Sequence, residues 1–112
     1  ASSISITPIS GKYAQTLCKG IHFEVIDPLF YKPVFFGLLL LYIIRAKHPQ
    51  AFLWAPYKTA VNPSGKNHLD KLLGINNAQK LFELPLPQFI ANCTKLTHCA
   101  GWQEQMIPYL LY

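Results

Sequence analysis

The chain has 112 residues, 51% of them apolar and only 13% charged. That length allows one domain or a piece of one; the composition excludes a disordered chain and argues against a self-sufficient globule, which needs about 25% charged residues to coat its surface. Ten Lys and Arg against five Asp and Glu give a net charge of +5, which points either to an acidic partner or to a shortage of carboxylates. The basic residues are scattered singly, without the run or patch of a nucleic-acid binder, which favours the shortage.

The chain opens Ala1-Ser2-Ser3-Ile4, with no initiator Met, basic n-region or apolar h-region. It therefore reads as a processed product or a fragment and not as a signal peptide. Residues 4–9 alternate apolar and polar like a short strand, with Pro8 suited to a sheet edge. Ser10-Gly11 is a turn, and residues 13–19 connect to a second strand over 21–26. There Ile21, Phe23 and Val25 share one face while His22 and Glu24 share the other. Asp27-Pro28 ends it, because the residue before proline is driven away from helical geometry.

Pro33 stands where the first residue of a helix belongs, since its ring fixes a helical φ. The helix spans 33–47 and closes before His48-Pro49, with Arg45 and Lys47 in the last turn where cations suit the macrodipole. Its middle is apolar all round, so it demands cover on both sides. The apolar run 34–44 is well short of the roughly 20 residues needed to span a bilayer, so no membrane span is expected. Residues 51–55 form a short strand or a packed aromatic turn. Residues 56–67, with Asn62-Pro63-Ser64-Gly65, read as an exposed loop. Asn67 is placed to cap a helix over 68–73 stopped at Gly74, and Asn76 one over 77–84 that Pro85 and Pro87 break. The last helix runs over 87–106 with a stripe of Phe89, Cys93, Leu96 and Ala100, weakened late by Gly101. Tyr109-Leu110-Leu111-Tyr112 is a terminal strand or a tucked tail. The expected fold is α/β of the α+β kind: a small mixed sheet of short strands packed by a central apolar helix and C-terminal helices.

Residue chemistry supplies no active site. Cys18, Cys93 and Cys99 cannot all pair within one chain; Cys93 and Cys99 span too short a stretch to suggest a bridge and read as thiols on one helix. Cys93, His98 and Cys99 do not share a helix face, so they lack zinc-ligand spacing, and neither metal nor cofactor is expected. Cys18 ahead of Gly20 and His22 reads as a buried thiol at a strand entrance, not as an activated nucleophile. The five acids, Glu24, Asp27, Asp70, Glu83 and Glu104, form no pair suited to glycoside cleavage. The stretch Asn62-Pro63-Ser64-Gly65-Lys66 has a passing likeness to a Gly-Lys phosphate loop, but lacks the first glycine and the hydroxyl after lysine. Asn92-Cys93-Thr94 fits a glycosylation sequon that falls inside the predicted helix.

The order of landmarks resembles a known family. Pro8, Lys12-Tyr13-Ala14 and Cys18-Lys19-Gly20 lead into an apolar strand ending at Asp27. Tyr31-Lys32-Pro33-Val34-Phe35-Phe36-Gly37-Leu38 matches the family's helix start. His48-Pro49-Gln50-Ala51-Phe52-Leu53-Trp54, Asp70-Lys71-Leu72-Leu73-Gly74 and the closing Tyr109-Leu110-Leu111-Tyr112 follow in the family's order. The chain thus resembles the C-terminal part of the NamZ-like exo-β-N-acetylmuramidases. Departures are Gln15, where the family has glycine, Trp102 in place of Phe, and the 103–108 stretch in place of a charged tract.

The resemblance implies that residues 1–112 are a single C-terminal accessory domain of a larger two-domain protein, whose Rossmann-like N-terminal domain carries the catalytic carboxylates. This chain then holds no catalytic residue and helps close the cleft for terminal N-acetylmuramic acid of peptidoglycan fragments such as MurNAc-GlcNAc. Bacterial periplasmic or secreted localisation is implied in the same way. Because that sugar carries a lactyl carboxylate, Lys19 and His22 are candidate substrate contacts, with Tyr13 for stacking or hydrogen bonding. The alternative is a non-enzymatic interaction module or oligomerising remnant that buries the 34–44 helix against a partner.

Overall fold

A computed structural model describes residues 1–110 and divides them into two compact units, the first over residues 1–31 and the second from residue 32 onward. The molecule has a small mixed α/β fold, with its described strands in the first unit and its helices in the second.

The first unit is an antiparallel hairpin of β1 (Ser2–Ile6) and β2 (Cys18–His22). Its register pairs Ser2 with His22, Ile4 with Gly20 and Ile6 with Cys18. Both strands therefore sit earlier in the chain than the alternation over 4–9 and 21–26 predicts. The pairing decides this: with Ser2 opposite His22, the register reaches the start of β1 and β2 ends there, and Pro8 has no N–H to offer a ladder. The connection between the strands is tightened at Gln15, whose N–H donates to the Pro8 carbonyl at 2.8 Å. Gln15 (φ 59°) and Tyr13 (φ 66°) both take left-handed backbone. The glycine-like conformation is thus kept where the family's glycine is absent.

The second unit is built on α1 (Pro33–Lys47), whose bounds match the sequence reading. Pro33 opens it, and the His48 N–H closes it on the Ile44 carbonyl at 2.9 Å. Leu38 is buried in a cluster with Phe82, Phe89 and Cys93; Phe35, Leu39, Leu41 and Tyr42 of the same helix pack against it. Val34, Ile43 and Ile44 stay exposed. The aromatic members interlock, with Tyr42 and Phe89 centroids 4.4 Å apart, Phe82 and Phe89 5.4 Å, and Trp54 against Phe82 at 5.1 Å. Trp54 also meets Phe52 edge-on at 4.9 Å, so residues 51–55 are the packed aromatic turn and not the strand.

Two side chains of α1 also bind backbone. The Tyr42 hydroxyl donates to the Leu84 carbonyl at 2.9 Å, and the Arg45 guanidinium donates to the Phe82 carbonyl. Both acceptors lie at the end of a 3₁₀ helix, Ala78–Glu83, where the last carbonyls have no partner within the helix. Pro85, lacking an N–H, cannot supply one.

Helix α2 (His68–Leu73) is stopped at Gly74, as the sequence predicts. Its expected cap is absent: Asn67 is left-handed (φ 52°) and its side chain makes no capping bond. The predicted helix over 77–84 is the 3₁₀ helix, and its cap comes from elsewhere. The Asp70 carboxylate accepts the Asn77 N–H at 2.8 Å and the Ala78 N–H at 2.9 Å. With two amides held by α2 and a proline following, the six residues have no room for regular α-helical pairing.

The predicted helix over 87–106 is two helices, α3 (Leu86–Leu96) and α4 (Trp102–Met106). The Thr97 N–H makes the last i→i−4 bond of α3, to the Cys93 carbonyl at 2.9 Å, with the Thr97 hydroxyl on the same oxygen; Gly101 then takes φ 71°, a backbone region open to glycine at no steric cost. Phe89, Cys93 and Leu96 keep their predicted stripe, whereas Ala100 and Cys99 lie outside the helix. Ile107–Tyr109 is a 3₁₀ turn, and the last two residues of the predicted terminal strand or tail, Leu111 and Tyr112, fall outside the described residues.

Asp70→Ala removes the acceptor of both amides, and is expected to lower stability by about 1–2 kcal/mol. Phe89→Ala empties the centre of the cluster and is expected to cost about 3–5 kcal/mol. Urea unfolding followed by tryptophan fluorescence measures both.

Candidate functional site

The three residues that the resemblance singles out belong to the first unit. Lys19 and His22 lie three apart on β2, and side chains alternate faces along a strand. His22 therefore shares its face with Ser2, Gly20 and Ile4, and Lys19 shares the other with Ser5 and Ile21. The strand does not bring the two together. Tyr13 lies in the turn region between the strands, exposed, with the Lys12 ammonium 5.3 Å from its ring centre.

The more developed site geometry is in the second unit, in the stretch read from sequence as an exposed loop. Asn62 is only 4% exposed and uses all of its polar groups. Its backbone N–H donates to Thr59 (Oγ1 at 3.0 Å, carbonyl at 3.1 Å), and its own carbonyl accepts the Thr59 N–H at 3.1 Å and the Gly65 N–H at 3.0 Å. Its side-chain amide donates to the Lys66 carbonyl at 3.1 Å, and Oδ1 accepts the Ser64 hydroxyl at 3.2 Å. The Tyr57 N–H closes the loop on the Gly65 carbonyl at 2.9 Å. Gly65 has φ +69°, and a Cβ there would stand 2.7 Å from the Tyr57 nitrogen. Only glycine fits. The loop is thus a built element, held by a buried amide whose bonds replace those lost to water.

This loop forms one wall of a cleft of about 370 Å³, lined also by Trp54, Pro56, His68, Leu69 and Gln79. Lys66 is the one charged residue in that lining, which contains no carboxylate. The His68 ring packs tilted against Tyr57, with centroids 4.7 Å apart and an interplanar angle of 45°, and its Nδ1 is buried with no hydrogen-bond partner among the described residues. An orphan of that kind costs about 1–3 kcal/mol. The sequence signal was the Asn62-to-Lys66 stretch, whose likeness to a phosphate loop concealed its real construction around Asn62.

The carboxylates are spent structurally or stand apart. Asp27 accepts the Leu29 N–H at 3.0 Å in a turn before the second unit begins, and Asp70 caps the 3₁₀ helix. Among the described residues no three His, Cys, Asp or Glu side chains are grouped to hold a metal, and no helix is long and apolar enough to cross a membrane. In the sequon, the Asn92 amide donates to the Gln88 carbonyl at 2.8 Å within α3. Burial pushes the Cys93 thiol above its ordinary pKa, the reverse of what a nucleophile needs.

A family model described as exo-β-N-acetylmuramidase NamZ, C-terminal, matches residues 1–112. Comparison with curated proteins and with solved structures gives no match. The chain belongs to the NamZ C-terminal family, and membership implies a catalytic partner domain.

Thiol titration with a chromogenic disulfide at pH 8 is expected to modify the exposed Cys99 promptly and Cys93 only when the chain unfolds, because a buried, raised-pKa thiol presents no thiolate.

Proposed function

We propose that this chain is the accessory domain of an exo-β-N-acetylmuramidase, a single functional unit over residues 1–112 that docks on a Rossmann-like catalytic domain and helps close the cleft for terminal N-acetylmuramic acid. It contributes no catalytic carboxylate; those belong to the catalytic domain. The family match over the whole chain carries this reading.

Exposed apolar surface supports it. The accessible surface is 9656 Å², whereas two separate compact bodies of the units' sizes would expose roughly 7,400 Å². Ile26, Leu29 and Phe30 are 94%, 90% and 81% exposed, a concentration of large side chains that marks an interaction surface. Docking there on the catalytic domain would remove them from water at about 25 cal/mol per Å² buried. Lys19, His22 and Tyr13 are proposed contacts on the hairpin for a substrate that carries a lactyl carboxylate.

The test is hydrolysis of a MurNAc-GlcNAc disaccharide by this chain alone, by a NamZ-family catalytic domain alone, and by the two mixed. The chain alone is expected to be silent, and the mixture to release N-acetylmuramic acid faster than the catalytic domain does. Turnover by the isolated chain would overturn the accessory role. So would a mixture no faster than the catalytic domain by itself.

A further inference from the structure

The hairpin of the first unit is a sheet with an undefended edge. We infer that β1 (Ser2–Ile6) pairs with a strand of the catalytic domain, so that docking extends the sheet across the interface. The identity of the partner rests on the accessory-domain reading; the need for a third strand comes from the hairpin itself.

The first unit does not hold itself together. None of residues 1–31 is buried. A segment of that size folds alone only with a disulfide, a metal or oligomerisation to help it, and an isolated two-stranded hairpin is marginal in water. Cys18 is free, and among the described residues no side chains are grouped to hold a metal. One face of the sheet is apolar: Ile4 and Ile6, 43% and 56% exposed, lie opposite Gly20 and Cys18. Ser3, Ser5 and Lys19 occupy the other face, which suits water. The hairpin therefore lacks a neighbour at an edge and a cover for one face.

The two edges are not equivalent. Natural sheets blunt an open edge with lysine, proline or a bulge. β2 carries Lys19, and Gly20 weakens it as a template. β1 reads Ser-Ser-Ile-Ser-Ile, with neither charge nor proline, and pairs one to one with β2 along its whole length, so it contains no bulge. Alternate residues of β1 turn their N–H and C=O away from β2, where they offer a ladder to a further strand. Pairing through β1 leaves β2, with Lys19 and His22, at the margin of the extended sheet.

A second copy of this chain is the poorer occupant. Each copy carries a formal charge of +5, so two copies repel. Two five-residue edges meet over a strip only about 17 Å long and 5 Å wide, and the Ile4–Ile6 face of each stays in water. A stable interface buries roughly 1,200 Å² or more. The catalytic domain that family membership implies can offer an edge and a covering layer together. Ile26, Leu29 and Phe30 then add to the area buried.

The experiment is residue-resolved amide hydrogen exchange on the full 112-residue chain, free and mixed with a NamZ-family catalytic domain, with complex formation followed by sedimentation. The outward amides of β1 are expected to exchange freely in the free chain and on the order of a hundredfold more slowly in the complex. Those of β2 that face away from β1 should stay fast. Ser3→Pro and Ile4→Pro remove successive amides, one facing β2 and the other facing out. The variant that leaves the β2 resonances in place is expected to weaken the complex about tenfold, the effect of losing one ladder bond. If neither variant keeps the hairpin, the exchange data still decide. Unchanged β1 exchange in a complex that forms and speeds hydrolysis overturns the strand pairing and leaves the accessory role standing. Protection of β1 in a complex that does not speed hydrolysis upholds the pairing and rejects that role. Protection that appears in the free chain and rises with its concentration gives the edge to a second copy and overturns the inference, as does absence of any complex.

Discussion

The second unit depends on how α1 satisfies backbone that it does not own. Phe82 and Leu84 end a 3₁₀ helix with their carbonyls unpaired, and Pro85 removes the amide that could otherwise have bonded back. Tyr42 and Arg45 fill both vacancies from the side. The same contact lays the Tyr42 ring on Phe89 and brings Leu38 against Phe82. Hydrogen bonding and apolar packing therefore fix the same geometry. An all-apolar helix has no preferred face of its own; two polar tips, one turn apart, choose it.

The chain is unfinished as a surface. Its apolar content is spent in a small core, and large side chains such as Ile9, Ile26 and Leu29 remain in water. That pattern suits a member of a family defined as the C-terminal portion of a longer enzyme. The accessory-domain proposal would account for the few charged residues, since surface that meets another domain does not need them. Carboxylates are scarcer still, and Asp27 and Asp70 are committed to turns and caps.

What could be read from the residues was whatever depended on local chemistry. Pro33 and Pro49 bracket α1, and Gly74 stops α2, because proline and glycine act through their own backbone. Strand positions were missed by two to four residues because register is a property of the pair, and neither alternation alone contains it. Helical period could not reveal that α3 would end at Leu96 and the chain resume as a separate α4 after a left-handed Gly101. Nor could cap rules find Asp70, which serves amides seven and eight residues away. The resemblance supplied the family and proposed the hairpin contacts. The Asn62 loop stayed hidden because its logic lies in the fold-back: the two ends of an exposed-looking Asn-Pro-Ser-Gly string, Asn62 and Gly65, are buried as the chain folds back on Tyr57.

The double bond from Asp70 has a further meaning. Helix α2 and the 3₁₀ helix have six residues each, far below the roughly 12–15 at which a helix persists alone in water. Neither is an independent element. One carboxylate, rooted in the first and spanning the amides of the second, makes them a single cooperative segment that is ordered or disordered as a whole. Any event that unwinds α2 takes the 3₁₀ helix with it, and with that the carbonyls that Tyr42 and Arg45 hold. The short stretch after the Asn62 loop thereby becomes a mechanical link between the cleft and the core.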